Sequence, residues 1–66
     1  MKLILNGEPQ TFDKTPDVAA LVAALGLDAR KVAVERNLEI VPRSAYGRTP
    51  LADGDRIEIV HFIGGG

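Results

Sequence analysis

Few residues in this chain could do chemistry by themselves. It holds no cysteine and one histidine, His61, which sits in the apolar run Val60-His61-Phe62-Ile63 with no serine, cysteine or acid beside it. A general base needs a partner within hydrogen-bond reach, so His61 reads as a strand residue. Asp53 and Asp55 could pair for metal or acid–base work, but they flank Gly54, the usual grammar of a turn. No metal site is expected. What remains is the end of the sequence, Gly64-Gly65-Gly66, directly after an apolar run. Without Cβ atoms these residues adopt backbone shapes closed to others. Extended, three residues reach about 10 Å. Such a tail can thread a narrow channel in another protein and present an unhindered terminal carboxylate at its far end.

The elements that must position this tail belong to a 66-residue chain, the size of one small domain. A domain of that length buries only about 60% of its unfolded surface, so the core must be economical. With no cysteine, neither disulfides nor thiolate metal sites support it. Hydrophobic residues at 45% and charged residues at 26% describe an ordinary soluble domain. The net charge of -1 and arginines scattered away from aromatics give no case for nucleic acid. Val18 to Leu25 is the longest apolar run, far short of a membrane span. Met1 to Leu5 is too short for a signal peptide, and a cytoplasmic location is expected.

Lys2 to Leu5 predicts a strand, Asn6-Gly7 a hairpin turn, and Glu8 to Phe12 a return strand that Pro9 confines to a sheet edge. Thr15-Pro16-Asp17 predicts a helix start, with Thr15 as cap. Val18, Leu21, Val22 and Leu25 form one buried stripe, and Gly26 ends the helix. Val32 to Glu35 and Glu39 to Val41 predict strands around a turn at Arg36-Asn37-Leu38. Arg43 to Pro50 lacks a period and reads as an irregular loop with one helical turn near Ser44 to Tyr46, anchored by Leu51. Arg56 to Phe62 is the last strand, with Ile57 and Ile59 on one face and Glu58, Val60 and Phe62 on the other. One helix covers one face of a sheet, which predicts a two-layer α+β domain. With the first and last strands adjacent, Ile4, Val60 and Phe62 would form an apolar patch on the uncovered face, beside the tail.

Several of these segments resemble the ubiquitin-like β-grasp sulfur carriers, in particular the ThiS family. The resemblance covers essentially the whole chain. It rests on the opening strand with Asn6-Gly7, on Val34-Glu35-Arg36-Asn37 followed by Glu39-Ile40-Val41-Pro42-Arg43, on Leu51-Ala52-Asp53-Gly54-Asp55, and on Ile59-Val60-His61-Phe62 leading to the glycines. It implies a mixed sheet of four to five strands with one helix on one face, over residues 1–63, and a flexible glycine tail over 64–66. It also implies a protein cosubstrate rather than an enzyme. An E1-like adenylating enzyme of the ThiF type would activate the Gly66 carboxylate with ATP, and a sulfur donor enzyme would supply the sulfur of a thiocarboxylate. A thiazole synthase of the ThiG type would take that sulfur for thiamin biosynthesis. The carrier itself would bind no cofactor. Gly64, Gly65, Ile63, Phe62, Val60 and Ile4 would face the partners. The family needs two glycines, and this chain has three.

Two other readings share the same tail. A molybdopterin-type sulfur carrier would use the same thiocarboxylate, although the Glu39 to Arg43 segment and the short chain favour the thiamin branch. A ubiquitin-like modifier would instead be conjugated through its C-terminal glycine to target lysines.

Overall fold

The computed structural model describes residues 1–62. Asn6 and Gly7 take positive φ, 49° and 85°, the geometry in which a tight turn matches the twist of the strands it joins. They link β1 (Lys2–Leu5) to its antiparallel neighbour β2 (Glu8–Thr11). β2 is an edge strand, as Pro9 requires. Its residues are all exposed, so it shields β1 without adding to the core.

The helix α1 (Val18–Ala24) starts later than the sequence predicts. Asp17, not Thr15, is the N-cap; its carboxylate accepts from the Ala20 amide at 2.8 Å. The reason is tertiary. Pro16 and Asp17 lie extended against Thr49 to Leu51, with the Leu51 amide donating to the Pro16 carbonyl and the amide of Val18, the first helical residue, donating to the Thr49 carbonyl. Pro16 and Asp17, held in that pairing, cannot also be helical. Thr15 is buried instead, and its hydroxyl has no partner. Val18, Leu21 and Val22 are buried as expected, whereas Leu25 is the C-cap and only partly buried. Gly26 follows at φ 72°, the left-handed position that ends a helix, and the Leu27 amide turns back to the Val22 carbonyl.

A short 3-10 helix (Ala29–Lys31) leads into β3 (Val32–Arg36), and the turn at Asn37 and Leu38 returns the chain through β4 (Glu39–Val41). The helical turn expected near Ser44 to Tyr46 is present and longer than expected, a second 3-10 helix over Arg43–Arg48 that takes up most of the expected irregular loop. It buries Tyr46, whose hydroxyl donates to the Val32 carbonyl at 3.3 Å. β5 (Arg56–His61) completes a five-stranded sheet of order β2-β1-β5-β3-β4. β5 runs parallel to β1 and antiparallel to β3.

α1 packs on one face of this sheet. Leu3, Leu5, Val18, Leu21, Val22, Val32, Val34, Val41, Tyr46, Leu51, Ile57 and Ile59 form the core between them. The fold is α+β, with the mixed sheet and single α-helix of a ubiquitin-like β-grasp. Among the described residues, no helix is long and apolar enough to cross a membrane.

Candidate functional site

β5 is the strand that delivers the tail, and the fold holds it from both sides. On one side it pairs with β3 along Val32 to Arg36. The Phe62 amide then donates to the Lys31 carbonyl at 2.9 Å, so the backbone stays anchored up to that residue. On the other side β1 pairs only at Ile4 and Leu5 before turning away. Beyond that point the Asn6 side chain continues the ladder. Its amide nitrogen donates to the Ile59 carbonyl at 3.3 Å, and its oxygen accepts from the Ile59 amide at 2.8 Å. A side-chain amide thus supplies the donor and acceptor of a missing strand residue.

The start of β5 is held by a buried carboxylate. Asp55 is 7% exposed. It accepts from the Arg36 guanidinium at 2.9 Å, the Asn37 side chain at 3.1 Å and the Ala52 amide at 2.8 Å. Burial favours the neutral acid, but the Ala52 amide, the Asn37 amide and Arg36 together outweigh it and hold the carboxyl below its ordinary range. Asp53 accepts from the Lys2 amide at 2.6 Å. Both acids therefore serve the turn, as their flanking of Gly54 predicts, and Gly54 takes φ 88°.

Of the residues expected to meet a partner, Val60 and Phe62 are 60% and 55% exposed, on the face that α1 leaves uncovered. Ile4 lies on the same face but is partly buried, and the register places it beside Arg56. It is therefore four residues down β5 from Val60, about 13 Å away. Glu58 lies between and Arg56 flanks Ile4, so the single apolar patch expected from Ile4, Val60 and Phe62 is divided. Parallel pairing confined to the lower half of β5 is the cause, and no sequence pattern reports it. Ile63, Gly64, Gly65 and Gly66 lie outside the described residues.

His61 ends β5 opposite Val32 and is exposed. A depression of about 500 Å³ is lined by Met1, Phe12, Asp13, Lys14, Thr15 and Pro16. Because β1 and β5 are parallel, that depression lies at the opposite end of the sheet from the strand end that leads to the glycines. Among the described residues no cluster of His, Cys, Asp or Glu could hold a metal ion. Among the described residues, the geometry offers a strand anchored up to Phe62 beside an open sheet face.

Sequence comparison matches this geometry to known proteins. Residues 3–66 match the model of the ThiS family. The sulfur carrier protein ThiS of Bacillus subtilis is 45% identical over 65 residues, covering 97% of this chain and 98% of that protein. A thiazole synthase of Paramagnetospirillum magneticum is 59% identical over 66 residues, covering 100% of this chain but 20% of the synthase. A second, from Magnetococcus marinus, is 48% identical, again over 20% of its length. The chain thus spans about a fifth of the thiazole synthases that it matches. The crystal structure of the thiamine biosynthesis protein ThiS from Geobacter metallireducens superposes with a TM-score of 0.84 at 40% identity, each chain covered in full. The order of strands, the anchored β5 and the match over residues 3–66 lead to one conclusion: this chain belongs to the ThiS family.

Proposed function

We propose that this chain is a sulfur carrier for thiamin biosynthesis, acting as a protein cosubstrate through the carboxylate of Gly66. The observation that carries the reading is the end-to-end match to a ThiS sulfur carrier, 97% of this chain against 98% of that protein. It is supported by a fold that fixes β5 up to Phe62 and leaves its outer face open.

The chemistry follows from what a carboxylate lacks. It is a poor electrophile because its leaving group would be oxide. On an adenylating enzyme of the ThiF type, one carboxylate oxygen attacks the α-phosphorus of ATP and pyrophosphate leaves. The acyl-adenylate then has AMP as its leaving group. The outer sulfur of a donor-enzyme persulfide attacks the acyl carbon and AMP departs with the original oxygen; a second thiol then cleaves the resulting acyl disulfide, leaving as a mixed disulfide with the donor, and a thiocarboxylate remains. Thiazole synthase takes that sulfur. In this scheme the carrier contributes reach and shape. Gly64 and Gly65 thread the partner's channel, a side chain on the last residue would crowd nucleotide and sulfur, and Val60 and Phe62 meet the partner.

Intact-mass spectrometry after incubation with ATP, the adenylating enzyme and a sulfur source tests the reading. One oxygen exchanged for sulfur, localised by fragmentation to the last glycine, is expected. An isopeptide adduct without a thiocarboxylate would instead assign the chain to the ubiquitin-like modifiers. No sulfur at that glycine, with a demonstrably active partner, would end the carrier proposal.

A further inference from the structure

The uncovered face of the sheet carries three features that cost the free fold stability, and they lie along one diagonal. Glu35 and Glu58 are direct cross-strand partners of β3 and β5, and like charges so placed repel. Neither enters an ion pair; among the described residues the salt bridges are Arg30–Asp28 and Arg36–Asp55. Arg56 shares this face and pairs with neither glutamate. Next in the same row, Ile40 on β4 pairs with Glu35 and is 69% exposed. At the tip of that hairpin, Leu38 is 78% exposed at φ 71°, a left-handed conformation that a leucine adopts only at a cost.

Leu38 and Ile40 lie at one end of this diagonal, the two glutamates in the middle, and Val60 and Phe62 at the other end. Strand spacing and rise give it a length of roughly 15–20 Å. The strain at Leu38 is held in place rather than relaxed. The Asn37 side chain bonds both to Asp55, at 3.1 Å, and to the Arg56 amide, at 2.9 Å, so the turn is fixed to the start of β5. An exposed apolar end, an uncompensated acidic centre and a second apolar end make a surface complete only with something bound.

We propose that this diagonal is the docking surface for thiazole synthase, which covers Leu38 and Ile40 with an apolar patch and places an arginine or lysine against Glu35 and Glu58. The inference rests on the sulfur-carrier reading. Charge complementarity sets the partner's chemistry, and the surface is continuous with Val60 and Phe62 beside the tail. The synthase is the occupant because two thiazole synthases contain a segment matching this chain in full.

The test separates binding from folding by the direction of each effect. Glu35→Gln with Glu58→Gln removes repulsion, and Leu38→Gly relieves the left-handed backbone, so thermal midpoints should hold or rise. Affinity for the purified thiazole synthase of the same organism, measured by titration at low and high salt, should fall about tenfold for the double variant, with a weaker salt dependence. Leu38→Gly should weaken binding at both salt concentrations alike. Unchanged affinity in both variants would overturn the proposal, and so would lost affinity accompanied by a lowered midpoint. If the unmodified chain acquires sulfur but does not bind the synthase, the docking surface is wrong and the carrier reading stands.

Discussion

Asp55 and Asn6 show how much of this fold rests on single polar side chains. Asp55 joins Arg36, Asn37 and the Ala52 amide at the start of β5. Asp55→Ala leaves several of these groups unpaired, and it should cost about 1–3 kcal/mol in urea unfolding. The pH dependence has a definite sign. The folded carboxyl is depressed below the unfolded value of 3.8, so its contribution is complete above that value and is lost as pH falls through the folded pKa. The stability gap between native protein and Asp55→Asn should therefore be widest near neutral pH and close on acidification. A gap independent of pH would show that the charge of Asp55 is not what holds the turn. The sequence marks both residues only as turn formers. Asn6 is legible from Asn6-Gly7, but its bonds to Ile59 span 53 positions and depend on which strand lies alongside.

At the scale of elements, β5 carries the most direct prediction. Phe62 is 55% exposed and its backbone, not its ring, holds the strand. Phe62→Ala should leave the unfolding midpoint nearly unchanged while weakening the proposed complex with an adenylating enzyme by about 2 kcal/mol, as expected for an aromatic anchor. A large drop in midpoint would place the ring in the monomer's own packing. The strands and the stripe of α1 were readable because alternation and the i, i+3, i+4 spacing are local signals. Three features were not. The helix start depended on Pro16 to Val18 pairing with Thr49 to Leu51, across the chain. Tyr46 lies in a 3-10 helix too short to show a period, although a lone aromatic in a polar stretch was a hint of its burial. The division of the apolar patch followed from the register of β1 on β5, which composition does not encode.

At the scale of the whole molecule, the described residues form a platform that fixes one strand up to Phe62. β5 is bonded through Phe62, so in the proposed carrier role the distance from a docked sheet face to the Gly66 carboxylate would be set by the number of residues between them. One residue added after Gly66 moves the carboxylate about 3.5 Å further along an extended path. Displacements near 1 Å already matter in a positioned reaction, so this extension should abolish thiocarboxylate formation while binding to the adenylating enzyme survives. Gly65→Val should behave differently. Its branched Cβ narrows the backbone's choices and would obstruct the partner channel that the carrier proposal invokes, so binding itself should weaken. Measuring affinity and sulfur incorporation on both variants separates reach from fit. Full turnover by the extended chain would mean that the partner does not measure distance from the β5 anchor, and the tail's length would then have no role in the chemistry.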